Sequence, residues 1–565
     1  MFRLVSMFSA CVLGLSWLLS SHFPPWMSWH SEALAFLAAF LLAWVGVARV
    51  LRAASPRAIT LPFAALPLIG LALVAAIQLG AGLLPFWGDV WVLWFYMALC
   101  VTCLTLGFAS VSPPAQPPAA TNSPAPTTVL AFALLIGALA SAVIASAQVF
   151  SPWEPSEWIV GMQQLRRPGG NLAQPNHLAT LLVMGIASLV FLYQSKTLGG
   201  ISSGLMLFLL CAGIAVTESR TGALSFLALL GWWLLKRRAI GDTPPVWAGV
   251  GCGIGFIGMF LAWPKMLNAL LLSEQAAVNT TSSLRLEVWA QLLEAVARRP
   301  WWGWGIHQVA AAHNAVADGY AVSSPFSYSH NLVLDLAIWV GVPLTLLLVG
   351  VASVWLWRRT RDANQLLPWY GLAVALPLGL HSMLEYPFAY AYFLAPVMFL
   401  LGAVEAAAGV KPLARINAKS VGAILLVTTV VLAWSVVEYL EVEEDFRVAR
   451  FAALRIGYPP PEHHLPKVIL FDQLGVLLDD TRFTPTPDMS TEAMELVKNA
   501  ALHYPWSATQ YRYALALALN GNMPEAARQI QVIRRLWGEK QYEGVKRQID
   551  ELATKYPELR KLSLP

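Results

Sequence analysis

The side chains best suited to chemistry in this chain are one histidine and two arginines, each beside an apolar run. His330 ends the polar run SSPFSYSH and is followed by the apolar run NLVLDLAIWVGVP. Arg220 lies in ESRTG between two apolar runs, and Arg285 lies in SSLRLEVW at a predicted first helical turn. A neutral histidine can accept a proton near neutral pH, and guanidinium groups bind phosphate oxygens. The three residues therefore indicate proton transfer beside a bound anion.

Each of these residues also has a structural explanation. His330 can be an interfacial histidine that hydrogen-bonds a loop carbonyl, and Asp335 is not expected on the same helix face as a partner. Arg220 can pair with Glu218, although residues two apart need a turn to meet. Arg285 differs, because the free N–H groups of a first turn also favour an anion, which makes a phosphate partner the better explanation.

A second polar set lies in RRPGGNLAQPNHLAT, residues 166–180, directly before another apolar run. Its two glycines permit a tight turn, and the side chains after them can hydrogen-bond sugar hydroxyls. The alternative is a capped loop-to-helix junction. A similar polar end, HSMLEYPF, occupies residues 381–388. The candidate sugar-binding residues of the first segment are Asn171, Gln174, Asn176 and His177.

Composition limits the class of protein that these residues serve. The 565 residues are 57% hydrophobic and 12% charged, with a formal net charge of +5. Soluble domains carry about 25% charged residues, so the chain is predicted to be an all-α polytopic membrane protein. The small positive excess requires no nucleic-acid partner. The five cysteines lie in apolar runs and predict neither a metal site nor a redox site.

Hydropathy predicts about thirteen membrane spans, because a helix needs about 20 apolar residues to cross a bilayer. The predicted spans lie near 4–21, 32–50, 61–80, 89–109, 128–150, 176–194, 201–217, 222–235, 246–263, 331–356, 367–382, 389–408 and 420–438.

Basic residues orient these spans. Most of them fall in loops on one side, which the positive-inside rule makes cytoplasmic. They are Arg49, Arg52, Arg57, Lys196, Lys236, Arg237, Arg238, Arg358, Arg359, Arg361, Lys411 and Lys419. The pairs Arg166-Arg167 and Arg298-Arg299 lie on the opposite side and therefore favour a function. All the candidate site residues fall on that external side.

The predicted organisation is a transmembrane domain over residues 1–439, with an external loop at 264–330, and an external helical domain over residues 440–565. In the second domain, the segment 504–537 predicts two helices joined at GNMP, residues 521–524. That pair is similar to a tetratricopeptide-like helical hairpin, a scaffold for protein contacts.

Taken in order, five motifs resemble the O-antigen ligase and polymerase superfamily. They are RRPGGNLAQPNHLAT, ESRTG, SSLRLEVW, SYSHNLVLDLAIWVGVP and LHSMLEYPFAYAYF. Within that superfamily the chain looks most like the bacterial protein O-oligosaccharyltransferases, the pilin glycosylation ligases. The resemblance covers nearly the whole membrane part and implies an all-helical fold of the membrane glycosyltransferase type.

The resemblance also implies an activity. The donor is a glycan linked to undecaprenyl pyrophosphate, the acceptor is a pilin-like protein, and transfer occurs on the periplasmic face of the inner membrane. No metal, cofactor or nucleotide sugar is implied. By the resemblance, the catalytic residues of the superfamily fall on Arg220, Arg285 and His330. Its substrate contacts fall on Arg167, Asn171, Gln174, Asn176, His177 and Glu385.

Three other functions are weighed against this one. Within the superfamily, the acceptor can instead be lipid A core, or the glycan itself can be polymerised. A transporter of lipid-linked glycan would predict repeated, broken helices near the midplane, whereas the polar residues here gather on one face. A receptor acting through its C-terminal residues would leave Arg220, Arg285 and His330 without a role.

Overall fold

The computed structural model describes residues 2–52, 58–111, 125–150, 157–161, 167–241, 244–269, 281–454 and 465–563. Within these ranges the chain is helical apart from one small sheet, which confirms the predicted all-α class. The helices are α1 (Phe2–Ser16), α2 (Trp29–Arg52), α3 (Ala65–Gly80), α4 (Trp87–Val111), α5 (Pro126–Phe150), α6 (Pro175–Gln194), α7 (Gly200–Val216), α8 (Arg220–Lys236), α9 (Val246–Ala269), α10 (Thr281–Arg298), α11 (Val309–Asn314), α12 (Leu332–Val340), α13 (Val342–Asp362), α14 (Leu366–His381), α15 (Ala391–Ala407), α16 (Ala418–Ala453), α17 (Asp472–Arg482), α18 (Thr491–His503), α19 (Ser507–Leu519), α20 (Met523–Trp537) and α21 (Glu539–Leu552).

Several helices are long and apolar enough to cross a bilayer, so the chain is a multi-pass membrane protein. Among the described residues seven helices meet this standard: α2, α4, α5, α6, α9, α13 and α16. Shorter apolar helices of 10–17 residues include α3, α7, α14 and α15. The predicted count of thirteen spans is not confirmed.

Two predicted elements differ from the structure. The span predicted at 331–356 is two helices, because Gly341 adopts a φ of +79° that ends α12 before α13 begins. The last predicted span, 420–438, is only the first part of α16, which continues to Ala453.

The chain divides into two compact units. The first, unit 1, contains Met1–Gly70, Phe95–Ala277 and Val351–Leu432. The second, unit 2, contains Leu71–Trp94, Val278–Gly350 and Ala433–Pro565. Helices α3, α4, α13 and α16 contribute residues to both units.

Unit 1 is built around α6, in which 16 of 20 residues are buried. It packs against α5, α7, α8 and α14. Small residues let these helices approach closely: a Cβ atom on Gly185 would overlap Ala138 of α5. Such close backbone approach is the usual source of packing energy between helices in a bilayer.

A two-stranded antiparallel sheet in unit 1 was not predicted from the sequence. Strand β1 (Ala58–Leu61) pairs with β2 (Ala414–Asn417), with Ala58 opposite Asn417. Strand β1 comes shortly before α3 along the chain, and β2 directly precedes α16. Strand β2 falls in a loop that the basic residues assign to the cytoplasmic side. They therefore lie outside the sequence segments predicted to carry the site.

Unit 2 contains α10–α12 and α17–α21. The predicted helical pair in its C-terminal part is confirmed, because α19 and α20 are joined through Gly521, whose φ is +86°. The Asn522 side chain accepts a hydrogen bond from the Glu525 N–H and caps α20. Val497, Ala514, Ile530 and other apolar side chains form the core of this part.

Helix α10 ends at Arg298, two residues before Pro300, which cannot continue a helix. Trp289, Leu292, Leu293 and Val296 form one apolar side of α10, but Leu293 is 59% exposed. The fully buried positions are Val288, Gln291, Leu292 and Ala295. The buried face is therefore rotated from the one that hydrophobicity alone selects.

Candidate functional site

The candidate site residues form two polar clusters, one in each unit. The unit 1 cluster centres on the buried carboxylate of Glu385, just beyond α14. Its Oε1 accepts a hydrogen bond from Asn176 Nδ2 at 2.7 Å, and its Oε2 accepts one from Gln174 Nε2 at 2.6 Å. The His381 Nε2–H donates to the same Oε2 at 3.0 Å. Three donors on one carboxylate are expected to fix its position. We call these four residues the Glu385 cluster.

Sharp backbone turns bring the amides of this cluster to the carboxylate. Gly170 has a φ of +59° within the short 3₁₀ turn Gly170–Leu172, and Ala173 then adopts a φ of +57°. Gln174 is extended and occupies the position before α6, whose first residue is Pro175. The sequence GGNLAQPN therefore sets Gln174 and Asn176 at the start of a membrane helix.

The Glu385 cluster continues to the helix that carries Arg220. Asn176 Oδ1 accepts a hydrogen bond from Ser219 Oγ at 2.6 Å. Ser219 Oγ accepts in turn from the Gly222 N–H at 2.9 Å, so this serine is the N-cap of α8. Arg220, the first residue of α8, is exposed. A continuous chain of hydrogen bonds thus joins Glu385 to the residue that precedes Arg220.

Arg167 lies at the same turn. Its Nε–H donates to the Thr217 carbonyl at 3.1 Å, at the end of α7. The Thr217 hydroxyl also accepts from the Ser219 N–H at 3.2 Å. The α7–α8 turn therefore holds the Arg167 side chain through the Thr217 carbonyl, and it positions Arg220 through the Ser219 N-cap.

Two of the candidate sugar-binding residues are buried among protein groups. Asn171 donates to the Leu18 and Trp158 carbonyls at 2.7 and 2.8 Å and accepts from the Val160 N–H at 3.1 Å. His177 packs edge-on against Tyr390, with 4.5 Å between ring centroids. These contacts favour a structural role for both side chains.

The arrangement also contains three potential metal ligands. Ligand atoms of His177, His381 and Glu385 all lie within 4.8 Å of one another. Both carboxylate oxygens already accept hydrogen bonds, and His381 Nδ1 lies 2.8 Å from the Thr180 hydroxyl. A metal ion would have to displace these donors, so the observed geometry is that of a hydrogen-bond network.

The unit 2 cluster is a turn that holds His330, which is half-buried with a φ of +62°. This conformation is uncommon for a residue with a Cβ atom, and such strain persists where surrounding contacts impose it. The Ser329 N–H donates to Asp335 Oδ1 at 2.7 Å. Asn331 caps α12 by accepting from the Val333 and Leu334 N–H groups. We call this segment the His330 turn.

The His330 turn is bonded to the helix that carries Arg285. Trp289 of α10 donates from its indole N–H to the Ser329 carbonyl at 2.7 Å. Arg285 lies about one helical turn before Trp289 and is half-buried. Within unit 2 the structure therefore brings α10 and the His330 turn together.

A buried acid in unit 2 was not singled out by sequence. Asp89 accepts from Gln308 Nε2 at 3.1 Å and lies 3.7 Å from a ring nitrogen of His307 and of His503. Burial lowers the pKa of His503, against the opposing charge of Asp89. No short motif contains these residues, so only the fold relates them.

Ser219 and His381 also lacked a predicted role, although both stand in quoted motifs. A serine directly before an apolar helix is a recognisable N-cap signal, so Ser219 could have been identified. Asp335 was set aside as a partner of His330, and its observed partner is the neighbouring backbone of Ser329. No sequence rule anticipates that bond.

Three family models match parts of this chain. An O-antigen ligase model matches residues 205–349, and a protein glycosylation ligase model matches residues 168–193. A model of the C-terminal part of a virulence factor membrane-bound polymerase matches residues 369–549. The match to residues 205–349 includes Arg220, Arg285 and the His330 turn. The match to residues 168–193 includes Gln174 and Asn176 of the Glu385 cluster.

Two relatives from Acinetobacter baylyi are similar to this chain. A general O-oligosaccharyltransferase is 24% identical over 549 residues, which cover 94% of this chain and 92% of that protein. A ComP-specific O-oligosaccharyltransferase is 29% identical over 254 residues, or 42% of this chain and 44% of that protein.

Proposed function

Because the chain belongs to the O-oligosaccharyltransferase family, within the O-antigen ligase superfamily, we propose that it transfers a preassembled glycan from undecaprenyl pyrophosphate to Ser or Thr hydroxyls of exported proteins. The chain is a glycosyltransferase, and its family transfers glycan onto proteins. The observation that carries the proposal is the similarity to the general O-oligosaccharyltransferase across 94% of this chain. A pilin-like protein is the proposed acceptor.

The proposed location is the bacterial inner membrane, with the site facing the periplasm. Support comes from the basic residues, which the positive-inside rule places on the opposite side. In this orientation residues 1–439 form the transmembrane domain, with an external loop at 264–330. Residues 440–565 form the periplasmic helical domain, whose helices α19 and α20 provide a scaffold for protein contacts.

Arg220 and Arg285 are the proposed electrostatic catalysts. When the glycosidic bond to the donor breaks, negative charge grows on the pyrophosphate, which leaves as undecaprenyl pyrophosphate. Prepositioned guanidinium groups stabilise that charge without reorganising. Arg220 is the first residue of α8, where the unpaired N–H groups and the helix dipole add to the attraction. The first-turn position predicted for Arg285 is wrong, because α10 begins at Thr281 and Arg285 is its fifth residue.

His330 is the proposed general base. A serine or threonine hydroxyl is a poor nucleophile at neutral pH, whereas a histidine with a pKa of about 6.5 is partly neutral there. The acceptor oxygen attacks the anomeric carbon, the bond to pyrophosphate breaks, and the hydroxyl proton moves to a ring nitrogen of His330. Direct attack inverts the anomeric configuration. Ser329, Asn331 and Asp335 hold the turn that presents the ring.

The unit 1 residues divide between contact and support. Arg167, Gln174 and Asn176 are half-buried, and we assign them contacts with the donor glycan. Asn171, His177 and Glu385 are buried, and we assign them the support of those groups. Through Asn176 and Ser219, Glu385 also acts as a positioning residue for Arg220.

A second candidate function keeps the donor and changes the acceptor. The O-antigen ligase match to residues 205–349 favours transfer to lipid A core, and the polymerase match to residues 369–549 favours glycan polymerisation. Both reactions use the same charge stabilisation and the same base. The acceptor therefore distinguishes the candidates.

The test is a transfer reaction with purified full-length protein and a polyprenyl-pyrophosphate glycan. Pilin, lipid A core and no acceptor are supplied in parallel, and mass spectrometry identifies the glycosylated product. We expect glycan on pilin Ser or Thr, with the same yield after treatment with a chelator. Glycan on lipid alone, or lengthened glycan without any acceptor, would overturn the acceptor assignment.

A further inference from the structure

Helix α10 has an apolar face that points away from unit 2. Its exposed apolar positions are Leu286, Ala290, Leu293 and Ala297, spaced four, three and four residues apart. This spacing places them on one side of the helix. Leu286 is 65% exposed and Leu293 is 59% exposed. We call these four residues the α10 stripe.

The rest of the helix surface consists of a buried apolar side and a charged flank. Val288, Leu292 and Ala295 are buried in unit 2. Glu287, Glu294 and Arg298 flank the α10 stripe, and Glu294 pairs with Arg298 at 2.7 Å. Helix α10 therefore has two apolar sides: one is buried in unit 2, and the other, the α10 stripe, is exposed.

Two exposed tryptophans follow the helix. Trp301 is 71% exposed and Trp302 is 79% exposed. Large aromatic side chains are costly to expose to water, but tryptophan is enriched where a membrane meets water, because its ring is apolar and its N–H is polar. Their position directly after the α10 stripe indicates a lipid surface.

The tryptophan turn is fastened to a helix that is long enough to cross a bilayer. The Val342 N–H donates to the Pro300 carbonyl, and the Trp304 N–H donates to the Ile338 carbonyl, both at 2.7 Å. A Cβ atom on Gly341 would overlap the Trp301 carbonyl, so the two backbones touch. At this end α13 exposes Leu346 and Leu347.

The same turn is fixed to the end of α10. The Trp304 indole N–H donates to the Ala295 carbonyl at 2.8 Å. The Arg299 guanidinium lies 4.3 Å from the centre of the Trp304 ring. The α10 stripe and the lipid-facing start of α13 are therefore parts of one bonded assembly, joined by residues 299–304.

We propose that α10 lies in the headgroup layer of the membrane, with the α10 stripe in contact with acyl chains and Trp301 and Trp302 at the same depth. The partner is the lipid bilayer itself. The stripe has two leucines and two alanines and no pocket-filling anchor, which suits a fluid surface better than a protein partner.

An interfacial α10 has one consequence for Arg285, and this consequence rests on the proposed function. Arg285 is the fifth residue of α10, so an interfacial α10 holds its guanidinium at the depth of lipid phosphates. A lipid-linked pyrophosphate lies at that depth too. The interfacial position of α10 itself does not depend on the reaction.

Spin-label accessibility tests the proposal in the full chain. Cys11 and Cys252, the two cysteines that are not buried, are replaced by alanine, and the labelled background measures any residual signal. Single labels are then placed through Ala290→Cys, Leu293→Cys and, off the stripe, Glu287→Cys. Leu346→Cys on α13 serves as the lipid reference, and Lys546→Cys on α21 serves as the water reference. The protein is held in nanodiscs of phosphatidylethanolamine and phosphatidylglycerol.

Collision with oxygen reports lipid, and collision with a nickel chelate reports water. We expect the oxygen-to-nickel ratio at 290 and 293 to reach that of the label at 346, while the label at 287 has a lower ratio. A ratio at 290 and 293 equal to that at 546 would overturn the proposal and leave a soluble partner as the occupant. Dipolar broadening at 293 with low access to both reagents would also overturn it, in favour of a second copy. Ala290→Cys is a small change, so it remains informative if Leu293→Cys does not fold.

Discussion

The Glu385 cluster in unit 1 and the His330 turn in unit 2 hold their polar groups in opposite ways. In the Glu385 cluster, side chains bond to side chains, and the central carboxylate is buried and accepts three hydrogen bonds. In the His330 turn, side chains bond to the backbone, through Asp335 and Asn331, and His330 is half-buried.

This difference suits the Glu385 cluster to supporting other groups and the His330 turn to reacting with substrate. A buried carboxylate that accepts three hydrogen bonds has little capacity left for substrate, but it holds its donors in place. A half-buried imidazole on a strained, well-braced turn can meet a substrate without moving the backbone. We therefore expect changes at the His330 turn to stop the reaction and changes at the Glu385 cluster to displace other groups.

The largest expected effect comes from His330→Ala. Loss of general-base help should slow transfer by about 10²–10⁴-fold. Single-turnover transfer to pilin measures the rate, and binding of the polyprenyl-pyrophosphate donor measures retention of the site. His30→Ala, at the start of α2, is the matched control and should transfer normally. Normal transfer by His330→Ala would remove this residue from the mechanism.

The next effect comes from Arg285→Lys. Lysine keeps the charge but cannot bind phosphate oxygens through two parallel bonds, so we expect a loss of about 10²-fold in kcat/KM. Arg298→Lys on the same helix keeps its surface pairing with Glu294 and should change kcat/KM little. Equal losses in the two variants would show that α10 responds to any arginine change.

A smaller effect is expected for Glu385→Gln. The amide offers one acceptor where the carboxylate offers two, so donors lose partners at a cost of about 1–3 kcal/mol. The lost hydrogen bonds should displace Arg220 through Asn176 and Ser219 and weaken its stabilisation of the transition state. A loss of about 1.4 kcal/mol there lowers kcat/KM by about tenfold.

Glu405→Gln is the matched control for this variant. Glu405 is a buried carboxylate of the same unit that accepts from Trp355 Nε1 at 2.9 Å and from the Ala64 N–H at 3.2 Å. It should lower the thermal unfolding temperature as Glu385→Gln does, yet leave transfer per folded molecule unchanged. Equal loss of transfer in both variants would reduce Glu385 to a general stability role.

The smallest effect concerns His313, a histidine of unit 2 with the opposite character to His330. It is buried, its Nε2 lies 2.8 Å from Gln291 Oε1, and burial lowers its pKa to about 4. The folded state therefore binds fewer protons than the unfolded state between about pH 6.5 and pH 4, so stability falls as the pH falls through that window.

The expected contribution of His313 is about 1.4 kcal/mol at pH 5.5, relative to neutral pH. Thermal unfolding of the wild type and of His313→Gln, each at pH 7.5 and pH 5.5, measures it. We expect the wild type to lose more stability on acidification than the variant. An identical pH dependence in the two proteins would contradict this prediction, because it would show that burial does not lower the pKa of His313 in the folded protein.

Much of the fold follows from local sequence signals, but distances within the site do not. The turn at Gly521 and the end of α10 before Pro300 follow local rules, because glycine permits a positive φ and proline cannot continue a helix. The break at Gly341 was missed, because the apolar run continues through it. Leu293 lies on an apolar side of α10 yet is exposed, because hydrophobicity alone does not decide which apolar residues pack.

The Glu385 cluster shows the same limit within the site. Its residues stood out as polar groups at helix ends, but Asn176 and Glu385 are 209 residues apart in sequence. Which donor meets which acceptor is decided by the packing of α6, α8 and α14. Single residues with chemical potential could therefore be predicted, whereas the chain of bonds from Glu385 to Ser219 could not.

A double-mutant cycle tests most directly whether the Glu385 cluster acts by placing Arg220. Transfer rates are compared for the wild type, Glu385→Gln, Arg220→Ala and the double variant. If Glu385 acts through Arg220, Glu385→Gln slows the wild type by about tenfold but leaves the rate of Arg220→Ala nearly unchanged. The same slowing in both backgrounds would contradict the account, because Glu385 would then act independently of Arg220.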